Sequence, residues 1–124
     1  MKFRTEIPLR RLPELVQINY KSKTVFLGSC FSTNVGEKCN YFKFQNVVNP
    51  FGVLFHPIAI AKLMHRALNN KCFTEEELIY NNGVYCCFQV HSNFSSPDKM
   101  ELLNKLNETL EQFRNVLSEA SHII

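Results

Sequence analysis

The sequence predicts an α/β domain, on three observations. Thr24 to Leu27 is a short apolar run of strand-forming residues ended by Gly28, as in a strand buried on both faces of a parallel sheet. Phe44 to Val48 is a second such run, separated from the first by a helix-compatible stretch. A long amphipathic pattern then occupies the last quarter of the chain. Strands that alternate with helices imply βαβ units joined by a right-handed crossover.

Taken in order, residues 1–22 read as an irregular entry, because Pro8 and Pro13 prevent a long helix and Lys21-Ser22-Lys23 is loop-like. Ser32 to Asn40 is expected to be helical, with Val35, Cys39 and Phe42 on one side. Gly36 inside it costs about 1 kcal/mol relative to Ala, which is expected to be offset by close approach of another backbone. Asn49-Pro50-Phe51-Gly52 has turn chemistry. Pro57 suits the first position of a helix whose apolar face is Ile58, Ala61, Leu63, Met64 and Leu68, ending at Asn69-Asn70. Thr74 and Glu77 form a capping-box pair over a short turn, Glu75 to Ile79. Asn82-Gly83 is a hairpin signal within residues 78–90, with Val84 to Val90 as its second strand. For the final helix, Ser96 is the expected cap, Pro97 the first helical residue and Asp98 the acidic group at the dipole end. Met100, Leu103, Leu106, Leu110, Phe113, Leu117 and Ala120 make its apolar stripe. Ser121 to Ile124 has the character of a further strand start.

At 124 residues, the chain matches one domain or domain fragment. Eleven Phe and four Tyr supply a large buried area at this size. The net charge of +3 is too mild for a nucleic-acid partner, and Lys2, Arg4, Arg10 and Arg11 read as solvated surface. No apolar run reaches the roughly 20 residues of a membrane span, and no secretory signal is visible. The five cysteines (Cys30, Cys39, Cys72, Cys86 and Cys87) are an odd number without framework or CxxC spacing. Reduced thiols, a cytoplasmic setting and no metal or cofactor are therefore the expectation.

Chemistry concentrates at the exit of the first strand. Gly28-Ser29-Cys30 offers a hydroxyl and a thiol on a strand-to-helix turn, where the following helix directs its N–H groups at a nucleophile. A plain loop with a buried thiol is the competing reading. Asn49 to Gly52 leaves the second strand in the same sense, so both loops are expected on one sheet edge, with a glycine N–H available to an oxyanion. Of the imidazoles, His56 and His91 lie near loops and are candidate site-lining groups, His65 lies on a helix, and His122 is near the last residue.

These residues resemble the GSCFA family, a bacterial group related to the SGNH (GDSL-like) hydrolases. The resemblance rests on Phe26-Leu27-Gly28-Ser29-Cys30-Phe31-Ser32, on Asn34 to Lys38, and on Asn49-Pro50-Phe51-Gly52-Val53-Leu54 with His56-Pro57. It continues through Tyr80 to Gly83, His91 to Phe94 and Ser96-Pro97-Asp98-Lys99, with Ser32 standing where the family name has Ala. The resemblance implies a three-layer α/β/α fold with a flavodoxin-like sheet. It also implies a hydrolase of ester or acyl bonds in small molecules. Aligned on the glycines, Ser29 falls at the Asp of the relatives' Gly-Asp-Ser block and Cys30 at the nucleophile. Gly52 falls at the glycine whose N–H joins the oxyanion hole, and Asn49 is a supporting polar group. The oxyanion Asn and the Asp-x-x-His block of those relatives lie in later segments. The chain is therefore expected to be the N-terminal part of such a domain and inactive alone. The rival expectation is a non-catalytic binding or interaction module on the same scaffold. On that reading the last helix or an open sheet edge pairs with the remainder of the domain or with a second copy.

Overall fold

The computed structural model describes Phe3 and residues 5–124 and has two three-stranded sheets. The first strand, β1 (Lys23–Phe26), is central in a parallel sheet. The chain leaves it into helix α1 (Cys30–Tyr41) and returns as β2 (Gln45–Val48), whose residues pair with β1 in register from Lys23↔Gln45 to Phe26↔Val48. After helix α2 (Pro57–Leu68) come β3 (Ile79–Asn81), β4 (Val84–Cys86) and β5 (Ser95–Ser96), which form an antiparallel sheet in that order. Helix α3 (Lys99–Glu119) then leads into β6 (His122–Ile123), which pairs parallel to β1 on the side away from β2. The fold is mixed α/β, as expected.

Helices cover both faces of the parallel sheet because neighbouring strand residues point to opposite sides. Phe26 and Val48 face α1, and a Cβ on Gly36 would meet Val48 Cγ2 at 2.3 Å and Phe26 Cδ2 at 3.3 Å. The close approach at Gly36 is thus to side chains and not to a second backbone. Val25 faces the other way, into the main core with Phe51, Leu63, Leu102, Leu106, Leu110 and Phe113. Phe51 is the aromatic hub of that core, with ring centroids of Phe113, Phe94 and Phe73 at 5.6, 5.9 and 6.2 Å.

Several local expectations shift. Helix α1 starts at Cys30, two residues early, because the Ser29 Oγ accepts the Phe31 N–H and so caps it. Its buried face is Ser32 and Gly36; Val35 and Cys39 are half-buried and Phe42 is exposed. Asp98, not Ser96, caps α3, since one carboxylate oxygen accepts both the Met100 and Glu101 N–H groups at 2.9 and 3.1 Å. Pro97 therefore precedes the helix. The buried stripe runs Leu102, Leu106, Leu110, Phe113, leaving Met100 exposed, because steps of four from Leu106 keep Leu102 on the inner face.

The hairpin turns at Asn82 and Gly83, both with positive φ (50° and 85°), and the capping box of Thr74 and Glu77 is present. Strand β4 stops at Cys86, however, and the chain turns inward so that Cys87 and Val90 are buried. Lys2 and Arg4 lie outside the described residues; Arg10 and Arg11 are exposed. Ahead of the parallel sheet, residues 5–22 hold a 3-10 turn (Glu14–Val16) and a turn closed by the Ser22 N–H on Asn19 O, and Tyr20 stacks on Phe44 at 4.5 Å. Among the described residues no helix is long and apolar enough to cross a membrane.

Candidate active site

Both loops that leave the parallel strands β1 and β2 stand on one edge of the sheet, and Asn49 binds them together. Its backbone N–H donates to Phe26 O and its side-chain Oδ1 accepts the Gly28 N–H, both at 2.8 Å. Its Nδ2 donates to Thr33 Oγ1 at 2.9 Å, and its carbonyl accepts the Gly52 N–H at 2.8 Å. One side chain therefore joins the end of β1, the first turn of α1 and the turn after β2. An Asn is suited to this place because its φ of 41° lies in the left-handed region. A further backbone bond, Leu54 N–H to Gly28 O at 2.9 Å, completes the staple.

The two glycines are dictated by geometry. Gly28 has φ 142°, which residues with a Cβ rarely adopt. At Gly52 (φ 81°), a Cβ would lie 2.3 Å from the Cβ of His91, whose own N–H donates to Phe51 O at 3.1 Å. His91 thus packs on Gly52 and draws the loop after β4 onto the same edge. Phe51, next to Gly52, is only 2% exposed and anchors this turn in the core.

Cys30 is the first residue of α1 and is exposed. The Ser29 carbonyl accepts the Thr33 N–H and its Oγ accepts that of Phe31, while the N–H groups of Cys30 and Ser32 have no acceptor among the described residues. The hydroxyl proton of Ser29 remains available to a ligand, because the capping bond uses only the oxygen's lone pair. The edge thus offers an exposed thiol beside backbone and hydroxyl donors, the arrangement that accepts an oxyanion.

Other expected members sit differently. The Gly52 N–H is engaged inside its turn and is not directed outward. His56 caps α2, its Nδ1 accepting the Ile58 N–H at 3.1 Å, and His91 Nδ1 accepts the Asn93 N–H at 3.1 Å. A neutral imidazole whose Nδ1 accepts carries its proton on Nε2, so the remaining nitrogen of each ring is a donor and not a base. His65 is exposed on α2, and His122 bonds Ser121 and Val16 O beside β6. Sequence reasoning missed Thr33 and Leu54, whose roles depend on contacts across 16 and 26 residues that no local pattern carries. Among the described residues no three His, Cys, Asp or Glu side chains converge as metal ligands would.

The other thiols differ in setting. Cys87 is buried, and burial pushes its thiol pKa up. Cys72 is exposed like Cys30, but lies in the loop after α2.

No curated protein and no solved structure matches the chain. The family model of the GSCFA family matches residues 23–124, from the first residue of β1 through β6. That match takes in the strand-to-helix turn, the Asn49 staple and both sheets, and the chain belongs to the GSCFA family.

Proposed function

We propose that this chain carries the nucleophile side of an SGNH-like ester or acyl hydrolase site, with Cys30 as the attacking group. The observation that supports it most is the exposed Cys30 thiol at the first position of α1, on a turn that Asn49 holds through three hydrogen bonds, to Phe26, Gly28 and Thr33. The thiolate attacks the carbonyl carbon of a small ester, forming the C–S bond. The carbonyl oxygen gains negative charge between the Cys30 N–H and the Ser29 hydroxyl. Collapse breaks the C–O bond and leaves a thioester on Cys30, and the leaving alcohol takes up the proton the thiol gave to solvent. Water then cleaves the thioester. Asn49 acts as a positioning residue, since both ends of its amide are engaged. Gly52 and His91 shape the edge, and His56 presents an N–H donor there. Deacylation is slow in this chain, because neither His56 nor His91 presents a base. The setting for this activity is cytoplasmic and bacterial.

A non-catalytic interaction module is the second reading, favoured by the engaged Gly52 N–H and the two donor-facing imidazoles. Acyl trapping separates the two. Incubation with p-nitrophenyl acetate followed by peptide mass mapping is expected to find an acetyl thioester on Cys30 ahead of Cys72, which is also exposed. Acetylation spread evenly over both, or confined to Cys72, would support the module instead.

A further inference from the structure

The edge that holds Cys30 is electrically neutral to an unusual degree. Residues 24–36, 44–61 and 78–97 supply all three loops that meet there, and none of them contains Asp, Glu, Lys or Arg, in a chain that is 20% charged. Charge collects at the opposite edge, where Lys21, Lys23 and Lys43 precede the strands and Lys23 Nζ lies 2.5 Å from Glu119 Oε2. On the neutral edge, large apolar side chains stand in the open: Phe31 is 66% exposed, Phe55 79% and Ile58 59%. Phe31 adjoins Cys30 in sequence, and Phe55 follows Leu54, whose N–H is bonded to Gly28. At the same loops, a crevice between Leu27, Gly52, Leu54 and Phe113 has a volume of about 10 Å³, room for one water-sized group and no chain.

Building on the Cys30 reading above, we infer that the site selects substrates with a neutral, apolar acyl group, held across the Phe31–Phe55–Ile58 rim. A charged acyl group would lose hydration on this edge and meet no counter-charge among the residues that form it. An apolar one is removed from water against two phenyl rings. Because the crevice is so small, the acyl group lies on the rim. Selectivity is therefore for apolar character, with weak dependence on chain length.

The test compares three alkylating probes on the intact chain: N-benzyl iodoacetamide, iodoacetamide and iodoacetate. Each forms a C–S bond and releases iodide, so the chemistry is common and only the appended group differs. Labelling rates at Cys30 are divided by those at Cys72, the exposed reference thiol. The inference expects the benzyl probe to be favoured at Cys30 by about fivefold over iodoacetamide on this scale, and iodoacetate to be disfavoured. Phe55→Ser, a change at an exposed side chain, is expected to remove most of that preference. A benzyl preference at a slowly reacting Cys30 supports the apolar rim while the nucleophile reading fails. A fast Cys30 with the same probe ratios as Cys72, or a preference that survives Phe55→Ser, overturns the inference and leaves the nucleophile reading standing.

Discussion

Two polar staples hold this molecule together, and they are built from different chemistry. At the C-terminal edge of the parallel sheet, Asn49 joins β1, α1 and the turn after β2 through uncharged hydrogen bonds. On the other side of the core, Arg66 joins α2 to the antiparallel half. Its guanidinium donates to Lys71 O, Cys72 O, both Glu77 carboxylate oxygens and Gln89 Oε1, and lies 4.2 Å from the Phe73 ring centroid. Arg66 is buried and Glu77 half-buried, so each charge depends on the other. The neutral staple holds an edge whose loops carry no charged side chain, beside an exposed thiol. The ionic one holds packing together and commits both terminal nitrogens of its guanidinium to protein acceptors.

The largest expected effect lies at the ionic staple. Arg66→Ala strands Glu77 and unseats Phe73, and is expected to cost about 3–5 kcal/mol in urea unfolding. Its pH signature follows from Glu77. Burial raises the Glu77 pKa, but the hydrogen bonds from Arg66 and the Thr74 N–H, the Arg66 charge and Gln89 together outweigh it, and hold the carboxyl below its usual value. A depressed carboxyl contributes stability that is complete above the unfolded-state pKa and is lost as pH falls through the folded one. The wild-type chain should therefore lose stability on the acid side of pH 4.5, and Arg66→Ala should lose that part of the acid limb. An unchanged acid limb would show that Glu77 is not held by Arg66.

The neutral staple should cost less and read out differently. Asn49→Ala leaves the Gly28 N–H unpaired and puts Ala at positive φ, an expected loss of about 2 kcal/mol. Its distinguishing readout is at the thiol: Cys30 labelling should slow relative to Cys72 in conditions where both variants are folded. Asn49→Asp keeps the acceptor for Gly28 but loses the donor to Thr33, and should fall between the two. If Asn49→Ala alters stability and leaves Cys30 labelling untouched, the staple supports the fold alone.

The contrast also explains what the sequence made legible. Gly28, Asn49, Gly52 and the Thr74–Glu77 box are local signals, in which a backbone angle or a capping bond selects the residue type. The first strand, α2 and the hairpin turn were therefore placed closely. Arg66 is not legible in the sequence because its side-chain acceptors on Glu77 and Gln89 lie 11 and 23 residues away and are brought near by packing. Strand β5 is two serines with no apolar alternation, and only Tyr85↔Ser96 and Cys86↔Ser95 pairing reveals it. The α3 cap lies two residues beyond Ser96 because Ser96, Pro97 and Asp98 all carry helix-start chemistry, and Asp98 prevails by accepting two N–H groups on one carboxylate oxygen. At the site, the elbow itself could be read from Gly28-Ser29-Cys30. The engagement of the Gly52 N–H and the tautomers of His56 and His91 could not, because each depends on a backbone partner set by loop geometry.

The central claim is that the Gly28–Cys30 turn makes one thiol reactive. Its most direct test is the rate of iodoacetamide labelling at each of the five cysteines of the folded chain, followed by peptide mapping. The account predicts Cys30 first, several-fold ahead of Cys72, which is also exposed, with the buried Cys87 last. Labelling of Cys30 at or below the rate of Cys72 would contradict it.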